Sequence, residues 1–579
     1  MLANQWVDAA FYARGSLVAH LASSTQMQTD ASITGTRRTR VLLVGPYDPS
    51  CGEYTFVSPP LGVWRLAGTL LDHCDVEVFD PNCCDNSAEG ELLELLTGGP
   101  WDIVGFSTTG MTLRHDLALA HLTRRALPGT LLVAGGMEAT FNPDVVLRLG
   151  PFDLTVLGEG ERPMRELCAR VASGADVHDV PGTAYRNPDG SVERIRHMAL
   201  SREELRDAIF KTPYERMPYR AYWRKLERAC RVKDLPFKAE RESRLAEIRS
   251  IRLITLNYCP MNCTFCSSTN FLHAAQGSTA QMGRLTAEEC VTMVRRIVAA
   301  YPDVRTIIFQ DDIFVFPNDR RILPLCEAIV DAKARGELPP ELQFISTNRI
   351  DAMTEERLGA MRRAGFRVLG FGVENFSRSV LLEFNKVRIH PVIQPMLKAA
   401  LDVGIVPFLD MIMTSPRSTM DDLAENVRQA YMWTLNGCEV GMYPYVIPFS
   451  GAAMSADASL LPQTVFAHQE VAGTDIAWDQ AAKILPVDPD VREAILAIEA
   501  TFEERLASLE ARVAHLPSRV RSLLWVVCSI PVLNGFGRRM PAQEDAEAQL
   551  FARLPGLAGG DGASLRDSFR DSWQGAAVA

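Results

Sequence analysis

Short apolar segments alternate with amphipathic segments in the first third of the chain. There are five such apolar segments, and most of them end in glycine, serine or threonine. The stretches between them have the apolar spacing of helices. These five segments are residues 41–45, 75–79, 103–107, 131–136 and 154–158. Strands separated by helices pair in parallel. We therefore expect an α/β, Rossmann-like (flavodoxin-like) domain over residues 38–195.

A second alternating series begins at residue 251. It contains six apolar segments, each followed by a helical stretch. The segments are residues 252–256, 306–310, 342–346, 368–372, 406–413 and 438–445. Six strand–helix units are too many for a small flavodoxin-like sheet, and they suit a partial (β/α)6 barrel of the TIM type. We expect this barrel over residues 251–454.

The remaining segments have other patterns. Residues 1–37 are rich in Ser, Thr, Ala and Gln and are predicted to form a flexible or helical N-terminal extension. Residues 196–250 are charged and helical, which indicates a helical linker. Residues 455–579 are predicted to form a helical C-terminal cap, with its main helix at 488–515 and a disordered Gly/Ala/Asp-rich tail after Leu557.

Composition narrows the class of function. A net charge of −11 argues against non-specific nucleic-acid binding, which needs a basic surface. No run of about 18 apolar residues is present, so no membrane span is expected. The 13 cysteines are scattered and no signal peptide is evident, so we expect reduced thiols and a cytoplasmic location.

Three cysteines have the spacing of metal ligands. Cys259, Cys263 and Cys266 are separated by three and two residues and follow the first strand of the second series. A [4Fe–4S] cluster normally takes four thiolates, so a loop with three leaves one iron open to another ligand. A zinc site is the alternative, and it would need a fourth ligand, for which His273 is the nearest candidate.

The cysteine spacing, with Phe265 before the last cysteine, resembles the signature loop of the radical S-adenosylmethionine (SAM) superfamily. In that family the three cysteines hold a [4Fe–4S] cluster, and the amino and carboxylate groups of SAM chelate the fourth iron. The resemblance implies further SAM contacts at the ends of the next three strands. The implied cofactor-binding residues are Phe265, Asp311, Asp312, Thr347, Arg349 and Glu374.

Structural roles would explain the same residues. Asp311 and Asp312 could cap the turn that follows their strand. Glu374 could be a buried partner of Arg349. The sequence leaves both alternatives open.

The strand ends of the first series resemble the cobalamin-binding domain of class B radical SAM proteins. Four segments carry this resemblance, namely residues 58–62, 106–109, 134–140 and 157–161. The resemblance implies that these segments and the first turn of the first helix contact cobalamin. The implied residues are Pro60, Leu61, Gly62, Trp64, Thr108, Thr109, Gly135, Gly136, Glu138, Gly158, Glu159 and Gly160.

The lower face of cobalt is expected to lack a histidine ligand. Many cobalamin proteins carry Asp-x-His-x-x-Gly, and this pattern is absent after the first strand. Asp176-Val177-His178 lies beyond the last predicted strand and is interpreted as a surface turn. Arg65, on the helix that follows Gly62, is predicted to face the lower side of cobalt in a catalytic role.

The resemblance implies a methyltransferase with three cofactors: a [4Fe–4S] cluster, SAM and cobalamin (as methylcobalamin). A 5′-deoxyadenosyl radical would activate an inert carbon, or phosphorus, of a small natural-product precursor, and methylcobalamin would supply the methyl group. A flavodoxin- or ferredoxin-type protein would donate the electron.

Two alternative functions stay open. One is a cobalamin-dependent cyclisation or rearrangement without methylation. The other is a methylthiotransferase-like protein without cobalamin, which would want a second set of three cysteines in its first half. Cys51, Cys74, Cys83 and Cys84 are too irregularly spaced to form such a set.

Overall fold

A computed structural model describes the chain over residues 38–52, 55–196, 199–234, 238–276, 281–510, 516 and 518–554. The extension predicted at 1–37 and the tail after Leu557 lie outside these residues. The described residues form two α/β units, a helical connection between them and a C-terminal region.

The first unit is a seven-stranded sheet with strand order β2-β1-β3-β4-β5-β6-β7. Its strands are β1 Arg40–Val44, β2 Asp75–Phe79, β3 Ile103–Ser107, β4 Leu131–Gly135, β5 Leu154–Val156, β6 Thr183–Arg186 and β7 Val192–Arg194. The first five are parallel, in the flavodoxin-like order 2-1-3-4-5, which confirms the prediction. The last two add an antiparallel edge that the alternation did not predict, because they are short and partly polar.

Helices cover both faces of this sheet. They are α1 Leu61–Leu70, α2 Ala88–Thr97, α3 Leu113–Ala126, α4 Gly136–Phe141, α5 Pro143–Leu149 and α6 Glu161–Ser173. Along β1, Val41 and Leu43 join the large core that continues into the second unit, whereas Leu42 and Val44 join a separate core with α2 and α3. Burial on both faces explains why the parallel strands are continuously apolar.

The connection consists of three helices, α7 Arg202–Phe210, α8 Tyr219–Ala229 and α9 Lys238–Ile248. Helix α8 touches both units. Tyr222 donates a hydrogen bond to Asp80 at the end of β2 (2.9 Å), and Trp223 donates one to the Ser250 carbonyl at the start of the second sheet (3.1 Å). The predicted linker is therefore packed between the units.

The second unit is a partial barrel of six parallel strands, paired in chain order. Its strands are β8 Ser250–Leu253, β9 Thr306–Phe309, β10 Gln343–Asn348, β11 Phe366–Glu374, β12 Val406–Ile412 and β13 Glu439–Tyr443. Its helices are α10 Ser268–Gln276, α11 Ala287–Ala300, α12 Ile322–Ala334, α13 Glu355–Ala364, α14 Arg378–Glu383, α15 Ile393–Asp402 and α16 Met420–Asn436. All six predicted strands are confirmed.

The C-terminal region is only partly helical. It begins with an antiparallel hairpin, β14 Thr464–Glu470 and β15 Ala477–Ile484, and continues with α17 Pro489–Glu510, α18 Ser518–Gly535 and α19 Gln543–Ala552. The expectation of helix from residue 455 onward is wrong for this hairpin, because its strands are polar and half-exposed and lack a clear apolar period.

Helix α18 covers the outer edge of the barrel. Ser522 donates a hydrogen bond to the Val440 carbonyl of β13, and nearly the whole circumference of the helix is buried. The helix thus occupies the side that further strands would close in a full barrel. None of the helices in the described ranges is long and apolar enough to cross a membrane.

The packing of α1 against the linker gives a stability prediction. A Cβ atom on Gly68 would lie 2.6 Å from the Lys211 carbonyl oxygen and 2.9 Å from Pro213, whereas a Cβ on Gly62 of the same helix would meet nothing within 4 Å. Gly68→Ala should therefore lower stability by about 1–3 kcal/mol, seen as a lower thermal unfolding midpoint by circular dichroism. Gly62→Ala is the matched control, and an equal effect of both substitutions would contradict the packing.

Candidate active site

The cysteine loop leaves the barrel at the C-terminal end of β8, and Asp311 at the end of β9 fixes its first residues. The Asp311 carboxylate accepts hydrogen bonds from the backbone N–H groups of Thr255 (2.6 Å) and Leu256 (3.0 Å) and from the Thr255 hydroxyl. Burial raises the pKa of Asp311 to about 6, although nearby Arg321 and these hydrogen bonds oppose the shift. Asp311 therefore positions the loop. This structural role is additional to its predicted contact with SAM.

The middle of the loop is held from the opposite side. Thr264 donates a hydrogen bond to the Glu383 carbonyl at the end of α14 (2.8 Å), and the Thr264 carbonyl accepts one from the Met454 N–H (2.9 Å). The ring of Phe265 packs edge-on against Phe384, with 4.9 Å between centroids. The loop is thus braced on both sides by the barrel.

The three thiols lie close enough for their charges to interact. Burial raises the pKa of all three, and that of Cys259 to about 12. Within the described ranges, no three Cys, His, Asp or Glu side chains are grouped as ligands of a single metal ion. A cluster binds each thiolate through a different iron, so its ligands need not meet at one point. The three thiol donors and their spacing fit a [4Fe–4S] cluster. Binding of the cluster would displace the thiol protons.

The predicted SAM residues line the interior below this loop. Asp312 directly follows Asp311 after β9 and lies close enough to Cys259 and Cys266 for its charge to add to the effect of burial, which raises their pKa. Thr347 is on β10, where its hydroxyl would be 3.3 Å from a Cβ on Gly370 of β11. The structure thus brings Asp312 close to the cysteine loop and Thr347 close to β11.

The alternative pairing of Glu374 with Arg349 is not observed. Glu374 instead forms a hydrogen-bonded ion pair with Lys386 (2.8 Å). Arg349 forms a bidentate ion pair with Asp351 (2.8 and 2.9 Å). Sequence reasoning missed Lys386. It also missed Asp410, although an acidic residue within the apolar run of β12 was a visible signal.

Several predicted cobalamin residues hold the edge of the first sheet together. The Thr108 hydroxyl donates to the Gly135 carbonyl (2.9 Å), and the Thr109 hydroxyl lies 2.9 Å from that of Thr112. Gly136 has a φ of 91°, and a Cβ there would lie 2.6 Å from the Thr108 carbonyl oxygen. Only glycine permits this close approach of the loops after β3 and β4.

Glu159 links this edge to the cysteine loop. Its carboxylate pairs with Arg65 and also accepts a hydrogen bond from the Asn257 side chain (3.1 Å), two residues before Cys259. Arg65 also pairs with Glu161 (2.7 Å). Burial disfavours the charge on Arg65, but the two carboxylates outweigh this and raise its pKa. Arg65, which is predicted to face the lower side of cobalt, is thus held between two carboxylates.

A second polar contact joins the two units at Glu138. Its carboxylate accepts hydrogen bonds from Asn142 (2.6 Å) and from Ser450 (3.2 Å), in the loop after β13. Gln480 of the hairpin also donates to the Gly110 carbonyl. The C-terminal edge of the first sheet is therefore covered by the barrel's last loop and by the hairpin.

The remaining predicted residues lie along the same edge. A Cβ on Gly158 would lie 2.7 Å from Ala275 of α10, and one on Gly160 would lie 3.5 Å from Leu66. Pro60 and Leu61 begin α1. The buried Trp64 indole N–H has no acceptor in the described part of the chain, and Gly62 opens onto free space. An unpaired donor and room at this edge fit a large polar ligand such as cobalamin.

The Asp176-Val177-His178 segment is a surface turn, as predicted. His178 is exposed and lies 2.8 Å from Asp176. The wide depression beside it, about 680 Å³, lies next to β6 and β7 and contains none of the predicted site residues.

The role of Asp311 in the loop can be tested. Asp311→Asn places an amide N–H₂ among backbone donors and should cost the loop about 1–3 kcal/mol. We expect iron and sulfide retained after anaerobic reconstitution to fall well below wild type. Asp312→Asn is the matched control, because Asp312 makes none of these backbone contacts. Wild-type iron content in Asp311→Asn would contradict the assignment.

The comparisons with known families agree with this geometry. The B12 binding domain matches residues 49–168 and the radical SAM superfamily matches residues 253–430. The two matches cover the first sheet and the barrel respectively. They confirm the predicted cofactors: cobalamin for the first unit, and a [4Fe–4S] cluster with SAM for the second.

Two relatives and one solved structure show how far the similarity extends. An uncharacterized methyltransferase of Pyrococcus horikoshii is 24% identical over 398 residues, which is 68% of this chain and 77% of that protein. The anaerobic magnesium-protoporphyrin IX monomethyl ester cyclase of Synechocystis is 28% identical over 163 residues, or 27% of this chain and 32% of that protein.

The solved structure is the radical SAM methyltransferase TsrM of Kitasatospora setae with cobalamin and a [4Fe–4S] cluster bound. It superposes with a TM-score of 0.57 at 16% identity, over 78% of this chain and 79% of that chain, and so shares the fold. The chain therefore combines a B12 binding domain with a radical SAM domain that follows it.

Proposed function

We propose that the protein is a cobalamin-dependent radical SAM methyltransferase that methylates an unactivated carbon, or phosphorus, of a small natural-product precursor. The observation that carries this proposal is the hydrogen bond between Glu159 and Asn257, which joins the edge of the B12-binding sheet to the cysteine loop. Both cofactor sites therefore adjoin one interface, as a reaction that uses both requires.

The protein's own residues would bind and orient the cofactors and shield the interface from water. Cys259, Cys263 and Cys266 would hold the cluster, and Asp311 fixes the direction of their loop. Asn270 of α10 donates a hydrogen bond to the Gly451 carbonyl (2.6 Å), and Phe141 packs edge-on against Phe271 (6.1 Å). These contacts close the interface against water, which protects reactive species.

The cofactors supply the difficult chemistry. When bound, the cluster and SAM provide one-electron activation of an inert bond, and cobalamin provides the methyl carrier. We infer that the electron comes from a flavodoxin- or ferredoxin-type donor and that the enzyme works in the cytoplasm. None of the 13 cysteines, all of which lie in the described ranges, forms a disulfide, which agrees with a reducing environment.

A cyclisation or rearrangement is the second candidate, and the similarity to the Synechocystis cyclase favours it. Product mass separates the two functions, because methylation adds one CH₂ and a ring closure does not. Turnover with SAM labelled in its methyl group, followed by mass spectrometry of the product, therefore tests the proposal. A product without the label would contradict methyl transfer.

The cysteine assignment predicts a selective loss of the cluster. After anaerobic reconstitution, Cys259→Ala, Cys263→Ala and Cys266→Ala should each lose most of their iron and all 5′-deoxyadenosine formation. Cobalamin binding should remain, because its predicted contacts lie in the first sheet. Cys326→Ala is the control, since this thiol is buried in α12. Full iron content in a variant of the cysteine trio would contradict the assignment.

The predicted role of Arg65 is tested by charge and by shape. Arg65→Ala leaves Glu159 and Glu161 without their cation, which should cost about 3–5 kcal/mol. Arg65→Lys keeps the charge and should fold. We expect a changed visible spectrum of bound cobalamin and lower turnover in Arg65→Lys. Arg162→Lys, at a half-exposed pair with Glu204, is the control. Wild-type spectrum and turnover in Arg65→Lys would remove Arg65 from the cobalt site.

A further inference from the structure

Asp410 interrupts an otherwise apolar strand in the middle of the barrel. It lies on β12 between Leu409 and Met411. Side chains alternate between the two faces of a strand, so Asp410 and Ile412 share one face. Ile412 packs in a cluster with Phe384 and with Phe265 of the cysteine loop. Asp410 therefore faces the inside of the barrel, beneath that loop.

A buried ion pair lies beside Asp410. Lys386 donates hydrogen bonds to Glu374 Oε1 (2.8 Å) and to the Gly372 carbonyl oxygen (2.6 Å). Gly372 is the residue of β11 directly opposite Asp410. A Cβ on Gly372 would lie 2.6 Å from Glu374 Oε1 and 2.9 Å from Lys386 Nζ, so glycine leaves the space that this pair occupies.

The carboxyl groups are only half satisfied. Glu374 and Asp410 are 2% and 1% exposed, and Glu374 Oε2 and Asp410 Oδ1 have no hydrogen-bond partner in the described part of the chain. Such buried acceptors are uncommon and costly. Glu374 also has a φ of 62°, a left-handed conformation that is unfavourable for this residue type. The free oxygens and the strained backbone indicate a site built for a ligand.

The charge balance indicates which ligand fits. Lys386 neutralises Glu374. Burial raises the pKa of Asp410 well above its usual value, and Glu374 adds to this while Lys386 opposes it. A carboxyl group that is buried, incompletely hydrogen-bonded and close to a second carboxylate favours its protonated form. Among the described residues, Glu374 and Lys386 are the charged groups that face Asp410 from the elements packed against β12. Their opposite charges cancel, so Asp410 adds attraction for a cation only by losing a proton.

The site adjoins the position of the cluster. Lys386, Glu374 and Arg349 all lie close enough to Cys263 for their charges to affect its thiol. The Glu374–Lys386 pair, which acts on Asp410, therefore also lies close to a cysteine predicted to hold the cluster. SAM, the ligand implied at such a cluster, carries a positive charge on its sulfonium.

We propose that Asp410 is a proton-linked positioning residue. When a sulfonium ligand binds at the cluster, Asp410 releases its proton to solvent. The resulting carboxylate then holds the cation together with the free oxygen of Glu374. The step breaks one O–H bond, leaves the electron pair on Asp410 and passes the proton to buffer. It rests on the radical SAM part of the proposed function and is independent of methyl transfer.

The test is calorimetric titration of the cluster-loaded holoenzyme with SAM, in buffers of different ionisation enthalpy. The wild type should release about one proton more than Asp410→Asn. Its affinity should also rise more steeply with pH, by up to about tenfold per pH unit below the Asp410 pKa. The control is Asp402→Asn, which changes an exposed aspartate at the end of α15. Equal proton release and equal pH slopes in wild type and Asp410→Asn would overturn the proposal.

A second measurement needs no variant. The infrared difference spectrum of wild-type holoenzyme with and without SAM should show loss of a protonated carboxyl band, and Asp410→Asn should lack this change. No carboxyl change in the wild type would also overturn the proposal. The mass of the methylated product reports separately on the proposed function. Proton release without methylation would support the role of Asp410 and contradict methyl transfer. Methylation without proton release would support methyl transfer and contradict the role of Asp410.

Discussion

The hydrogen bonds between Asp311 and the start of the cysteine loop are the interaction on which the site depends. Two backbone N–H groups converge on one buried carboxylate, and this fixes the direction in which the loop leaves β8. Arg321 supports the same corner by donating to the Thr255 hydroxyl (2.8 Å) and to the Phe314 carbonyl (3.2 Å). A three-cysteine loop has few contacts of its own, so its geometry must come from the neighbouring strand.

The two α/β units are joined by polar contacts as well as by a continuous apolar core. Apolar packing tolerates small displacements, whereas a buried hydrogen bond such as Glu159 to Asn257 fixes a distance. Buried charges contribute little net stability, because desolvation offsets their attraction. We therefore attribute the Arg65–Glu159–Glu161 group to positioning of the B12-binding edge against the barrel, and the core shared by both units to stability.

The interior of the barrel combines a buried ion pair with a second buried carboxyl group within an apolar wall. Lys386 lies between α14 and the short 3-10 helix that follows it, and thus outside β12. It is nevertheless close enough to Asp410 for its charge to lower the pKa of that carboxyl group, against the effect of burial. Asp312 adds a carboxylate that water can reach. Under the proposal for Asp410, the charge of this interior changes when a ligand binds, which a purely apolar or fully paired interior would not allow.

Local periodicity and spacing in the sequence determined the eleven predicted strands, the flavodoxin-like first unit, the partial barrel and the cysteine loop, because each depends on residues close in the chain. The β14–β15 hairpin escaped prediction because its polar strands are defined by docking, as in the contact of Gln480 with Gly110. Only the tertiary structure decided that Glu374 pairs with Lys386 and that Asp410 Oδ1 has no hydrogen-bond partner among the described residues. Charge pairing is set by distances of a few ångströms between side chains, and sequence spacing does not encode those distances across separate elements.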